Sequence, residues 1–166
     1  SGEATVTTPF TVKETSDLTD EDVPTLAQLD AEIAKINEEV SPSIVSIITS
    51  NLIGSSKVSE GQGSGVIVSE EGHVMTNFHV VKAKEMISVE LADGTVKKAE
   101  VLGSDPRIDL SMLRILGGGK FQPVAFGDSD EVKIGHKVFA FGNPFRLGVS
   151  FSEGNVSATN RSISDL

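Results

Sequence analysis

The apolar positions follow two regimes along the chain. Over the segment 25–41, Leu26, Leu29, Ile33, Ile36 and Val40 recur at spacings of three and four and draw one stripe on a helix. Thr25 with Gln28 three residues later suits a capping box, and Pro42 stops the last turn. The stripe is expected to pack on the body of the domain, with a short coiled-coil seam as the alternative. After Ser41 the period changes. Short β-branched runs appear at Ile44–Thr49, Gly65–Ser69, Val74–Thr76, Met86–Leu91, Thr95–Leu102, Leu110–Leu116, Val124–Phe126, Val138–Phe141 and Ser152–Ala158. Met86–Leu91 alternates apolar residues with Ser88 and Glu90, as a strand half in water should. Ala92-Asp93-Gly94-Thr95 and Glu70-Glu71-Gly72 give turn signals between runs. Many short strands at close spacing predict an all-β barrel or sandwich of antiparallel strands.

Residues 1–24 break both patterns. They carry Glu3, Glu14, Asp17, Asp20, Glu21 and Asp22 against one Lys13, half of the chain's net charge of −10. This segment reads as a flexible acidic arm, or as an oligomerisation arm that orders against a neighbour. The remainder, with 38% apolar and 23% charged residues overall, has globular composition. The acidic balance argues against nucleic acid and anionic membrane as partners, both being negative. Cysteine is absent, which excludes a disulfide framework, a thiol nucleophile and a cysteine-based zinc site. No apolar run approaches 18 residues, so no membrane span is expected, and no signal peptide is visible.

Three histidines carry the candidate chemistry. His73 follows Gly72 at a turn and His136 follows Gly135, and both are expected at the surface. No HxH or HExxH spacing supports a metal site. His79 stands apart, at the end of one β run and the start of an apolar pair. Thirty residues later Asp109 stands just before the run Leu110–Leu116. An acid at the mouth of a buried strand is costly unless a donor satisfies it, and a histidine Nδ1–H is such a donor. That pairing fixes the imidazole tautomer and leaves Nε2 free to take a proton. Alternatively Asp109, like Asp105, simply caps a turn.

The motifs taken together resemble the HtrA/Deg serine proteases. They are Gly63-Ser-Gly-Val-Ile-Val-Ser69, Thr76-Asn-Phe-His-Val-Val81, Asp105-Pro-Arg-Ile-Asp-Leu110, Gly127-Asp-Ser-Asp130, Gly142-Asn-Pro-Phe145 and Gly154-Asn-Val-Ser-Ala158, and the similarity runs from about Glu39 to Ser162, roughly three quarters of the chain. Each is weak singly; six in order are specific. The resemblance implies a chymotrypsin-like fold of two antiparallel six-stranded β-barrels with the triad between them. It assigns 42–142 to the first barrel, 143–166 to the start of the second, His79 to the general base and Asp109 to the residue orienting it. It further implies cleavage of unfolded or misfolded polypeptides in an extracytoplasmic space, no cofactor or metal, and a homotrimer held by N-terminal segments, with Phe10 as a possible anchor. Arg146 departs from the glycine usual at that position.

The family's nucleophile lies in a Gly-Asn-Ser-Gly-Gly segment, and no Gly-x-Ser-Gly follows Asp109 in these residues. Gly127-Asp128-Ser129 continues with Asp130-Glu131 and reads as a turn, while Gly63-Ser64-Gly65 reads as a strand that needs small residues. The expectation is that residues 1–166 supply the histidine and aspartate alone and are inactive and poorly soluble by themselves. The remainder of the protease is expected in a second segment, with a shortened chain or a natural pseudoprotease as alternatives. A non-catalytic binding scaffold with a protease-like barrel is the competing functional class.

Overall fold

The computed structural model describes residues 24–53, 56–142 and 150–159, with side chains left aside at 52–60. Most of the acidic arm, Phe10 and Arg146 lie outside the described residues. Helix α1 runs Leu26–Val40, and a boundary between two compact units falls inside it, at Lys35/Ile36. The predicted capping box is present: Gln28 N–H donates to Thr25 Oγ1 at 3.2 Å and Thr25 N–H donates to Gln28 Oε1 at 2.7 Å. A single 3₁₀ turn, Ser41–Ser43, carries Pro42 and ends the helix. No residue of α1 is buried, and Leu26 is 76% exposed. Of the stripe, Leu29 and Ile36 are also exposed, while Ile33 and Val40 are half-buried.

Six strands follow: β1 (Ile44–Ile53), β2 (Ser56–Ile67), β3 (His73–Asn77), β4 (Met86–Glu90), β5 (Val96–Asp105) and β6 (Leu110–Ile115). They close into an antiparallel barrel in the order β1-β2-β3-β6-β5-β4. Closure gives every strand two neighbours. Val45, Ile47, Ile67, Val74, Val89 and Leu113 fill the interior and are essentially inaccessible. The alternation predicted for β4 is realised, with Ile87 and Val89 inward and Ser88 and Glu90 between them. The Ala92–Thr95 turn joins β4 to β5 with Gly94 at φ +83° and Asp93 Oδ1 accepting the Thr95 N–H at 2.8 Å.

A second, two-stranded sheet pairs β7 (Lys137–Gly142) with β8 (Ser150–Asn155). Residues 137–142, expected to complete the first barrel, therefore pair outside it. Val124–Phe126, expected as a strand, forms none; only a main-chain bond from Val124 N–H to the Ile67 carbonyl, 2.9 Å, ties it to the barrel. A short helix, α2 (Phe78–Val81), was not legible in the sequence. It settles against β2 because residue 63 is glycine: a Cβ there would stand 2.6 Å from both γ-methyls of Val80.

Candidate functional site

The registers of β2, β3 and β6 bring the site together. Asn77 pairs with Leu110 and Thr76 with Ser111. The end of β3 and the start of β6 therefore lie side by side at one rim of the barrel. The chain leaves β3 directly into α2, which puts His79 one residue inside that helix. Asp109 is the last residue before β6.

The two side chains meet. His79 Nδ1 lies 2.6 Å from Asp109 Oδ2, and His79 main-chain N–H donates to Asp109 Oδ1 at 2.9 Å. Phe78 N–H donates to the Asp109 carbonyl at 3.0 Å. Asp109 thus satisfies the first two main-chain donors of α2 from across the barrel rim, where a residue of the same segment ordinarily would. Asn77 Nδ2 adds two contacts to Asp109, one to Oδ2 and one to the carbonyl, each 3.2 Å.

Asp109 reaches this position through an unusual backbone. Its φ is +54°, one of two positive values among non-glycine residues described, the other being Ala83. That region costs an L-residue on the order of 1–2 kcal/mol, less for aspartate, and persists where surrounding bonds over-determine it. Upstream, Asp105 performs the turn-capping role that was open for both acids: its Oδ1 accepts Arg107 N–H at 3.0 Å and its carboxylate pairs with the Arg107 guanidinium. Arg107 is thereby turned toward Asp105.

The His79 main-chain N–H, and then its ring N–H, hold the Asp109 carboxyl below the ordinary carboxylate range; Asn77 adds to this and partial burial opposes it. The ionised carboxylate can only accept, so in the neutral ring this contact favours the tautomer with the proton on Nδ1 and a lone pair on Nε2. Among the described residues nothing hydrogen-bonds Nε2, and the His79 side chain is 71% exposed. Such an imidazole can take a proton from a neighbouring hydroxyl. Asp109, 43% exposed, is not the buried acid that its place before β6 suggests.

The other sequence candidates lie elsewhere. His73 is half-buried rather than exposed, with Nδ1 2.7 Å from Ser69 Oγ. It pairs in register with Arg114, so β3 carries it at the opposite end from Asn77. His136 is exposed, as expected. Ser129 lies in a 3₁₀ turn, Ser129–Glu131, whose entry Asp128 caps through Asp130 N–H. Ser64 and Gly65 lie within β2. Among the described residues no group of three or more potential ligands converges to hold a metal ion. No helix among them is long and apolar enough to cross a membrane.

Residues 63–165 match the family profile described as the trypsin-like peptidase domain, a span that includes both His79 and Asp109. The chain is 48% identical over 103 residues to a probable periplasmic serine endoprotease DegP-like of Brucella suis biovar 1, covering 61% of this chain and 20% of that protein. It is 42% identical over 104 residues to the periplasmic pH-dependent serine endoprotease DegQ of Escherichia coli K12, covering 62% and 23%. A probable DegP-like protease of Halomonas elongata is 40% identical over 110 residues, covering 66% and 23%. The chain spans about a fifth of the length of the curated relatives it matches.

Proposed function

Since the chain belongs to the trypsin-like peptidase family and is of its HtrA/Deg type, we propose that it supplies the acid–base half of a serine endopeptidase acting on polypeptides. His79 is the general base, receiving the nucleophile's proton at Nε2 and returning it to the leaving amine. Asp109 holds the imidazole in the Nδ1–H tautomer and stabilises the imidazolium that forms on proton transfer. The observation that carries this reading is the double attachment of one carboxylate to one residue: ring nitrogen at 2.6 Å and main-chain N–H at 2.9 Å. A turn cap alone would need neither the ring contact nor a partner on a separate element.

The nucleophile is a serine outside the motifs of residues 1–166, which taken alone lack both it and the backbone donors that would stabilise the oxyanion. The substrates are unfolded or misfolded polypeptides, and the setting is extracytoplasmic; the names of the relatives support the setting and the endopeptidase class. A homotrimer is the proposed assembly. A scaffold function without catalysis has less support, because a scaffold needs no base–orienter pair.

Casein cleavage by these residues completed with the serine-bearing segment, compared with the His79→Ala variant of the same protein, tests the assignment. The expected loss in kcat is on the order of 10⁴-fold or more. Equal activity in the two proteins would remove His79 from the mechanism.

A further inference from the structure

Both contacts made by the Asn77 amide go to one residue, at 3.2 Å to the main-chain carbonyl of Asp109 and 3.2 Å to its Oδ2. Asn77 also immediately precedes α2, with φ −77° and ψ 144°. An asparagine there ordinarily turns its side-chain oxygen onto the first N–H groups of the helix. Asn77 makes no such cap. Asp109 takes those donors instead, through its carbonyl and Oδ1.

We infer that Asn77 is a positioning residue for the acid–base pair: it leaves its own helix uncapped and clamps Asp109 across the barrel rim, so that the carboxylate faces the His79 ring. The inference rests on the proposed roles of His79 and Asp109. The amide is suited to this because –NH₂ alone among small side chains offers two hydrogens in one plane, one for the carbonyl and one for Oδ2. The clamp adds two bonds to a residue on left-handed backbone, φ +54°, beside those that Phe78 and His79 make to it. Thr76, the neighbour in β3, does not share the task, since its Oγ1 donates to the Ser64 carbonyl at 2.8 Å. Asn77 is exposed, so replacing it leaves the barrel core intact.

The test compares Asn77→Ala and the nearly isosteric Asn77→Asp with wild type, each in the protease completed with its serine-bearing segment. Alanine removes two donors; aspartate removes them and sets a second negative charge beside Oδ2. The expected kcat falls about tenfold for Asn77→Ala and on the order of a hundredfold for Asn77→Asp. KM stays within about twofold and the melting temperature barely moves, since an exposed polar side chain contributes little to either. The far-downfield proton resonance of the Nδ1–H to Asp109 bond shifts or disappears in both variants. Wild-type kcat and an unmoved resonance in Asn77→Asp would overturn the inference, as would activity losses that merely track the unfolded fraction. The resonance requires no turnover. Were wild type and His79→Ala to cleave equally, the catalytic reading would fail, while the resonance would still report whether Asn77 holds Asp109.

Discussion

The barrel of β1–β6 and the ribbon of β7–β8 solve the same problem unequally. In the barrel every strand has two neighbours, and Val45, Ile47, Val74, Val89 and Leu113 are wholly shielded. In the ribbon each strand has one, and Val138 and Phe151 remain exposed. Its apolar contacts are aromatic, with Phe151 edge-on to Phe139 at 5.9 Å between centroids and stacked with Phe141 at 5.7 Å. A two-stranded ribbon is marginal in water, whereas a closed sheet with a filled interior is self-sufficient. His79 and Asp109 leave adjacent strands of the self-sufficient element, so their mutual geometry is inherited from strand register and needs nothing from the ribbon.

The contrast can be broken with paired truncations. Leu113→Ala opens a cavity in the barrel core and is expected to cost about 2–5 kcal/mol in urea unfolding of the full chain. Phe151→Ala is expected to cost about 1 kcal/mol, the scale of an exposed aromatic pair. Equal costs would mean that the ribbon is as integral as the barrel.

A smaller effect sharpens the link between barrel and site. Gly63→Ala drives a methyl against Val80, next to His79 in α2, and overpacking of this kind costs about 1–3 kcal/mol. Val80→Ala in the same chain should recover part of that loss. A double variant no better than Gly63→Ala would show that the glycine serves something other than the seating of α2.

The smallest effect is a pH dependence. The Asp109 carboxyl titrates lower in the folded chain than in the unfolded one, where it titrates near 4. Its stabilising contribution is therefore present above about pH 4 and is lost as the pH falls through the lower folded value. Asp109→Asn should flatten the acid limb of the stability profile over that window, read by thermal melting between about pH 2 and 5. An unchanged acid limb would mean that the His79 bonds do not favour the ionised form.

Much of this architecture was legible in the sequence, for identifiable reasons. Strands such as β4 and β6 announce themselves because one face is buried and the other is wet, so polarity alternates. The α1 cap was readable because Thr25 and Gln28 act locally. Helix α2 was not, because four residues of Phe-His-Val-Val are too short to show a helical period and are β-branched in half. The ribbon strand β7 looked like a barrel strand because periodicity reports burial and not partner. Asp109 invited the reading of a buried acid, yet it sits at an open rim, and its left-handed backbone has no signature in an aspartate. The role of Asn77 was hidden for a related reason. Asparagine before a helix suggests a local cap, and only strand register shows that its partner is 32 positions away.

In the proposed mechanism the Asp109 carboxylate holds the proton on Nδ1 of His79 and leaves Nε2 basic. Asp109→Asn keeps the shape while allowing the amide to donate to Nδ1, which inverts the tautomer. Steady-state cleavage of casein near neutral pH, by the protease completed with its serine-bearing segment, should then show kcat reduced on the order of 10⁴-fold with KM nearly unchanged. An Asp109→Asn chain that cleaves at the wild-type rate would contradict the account.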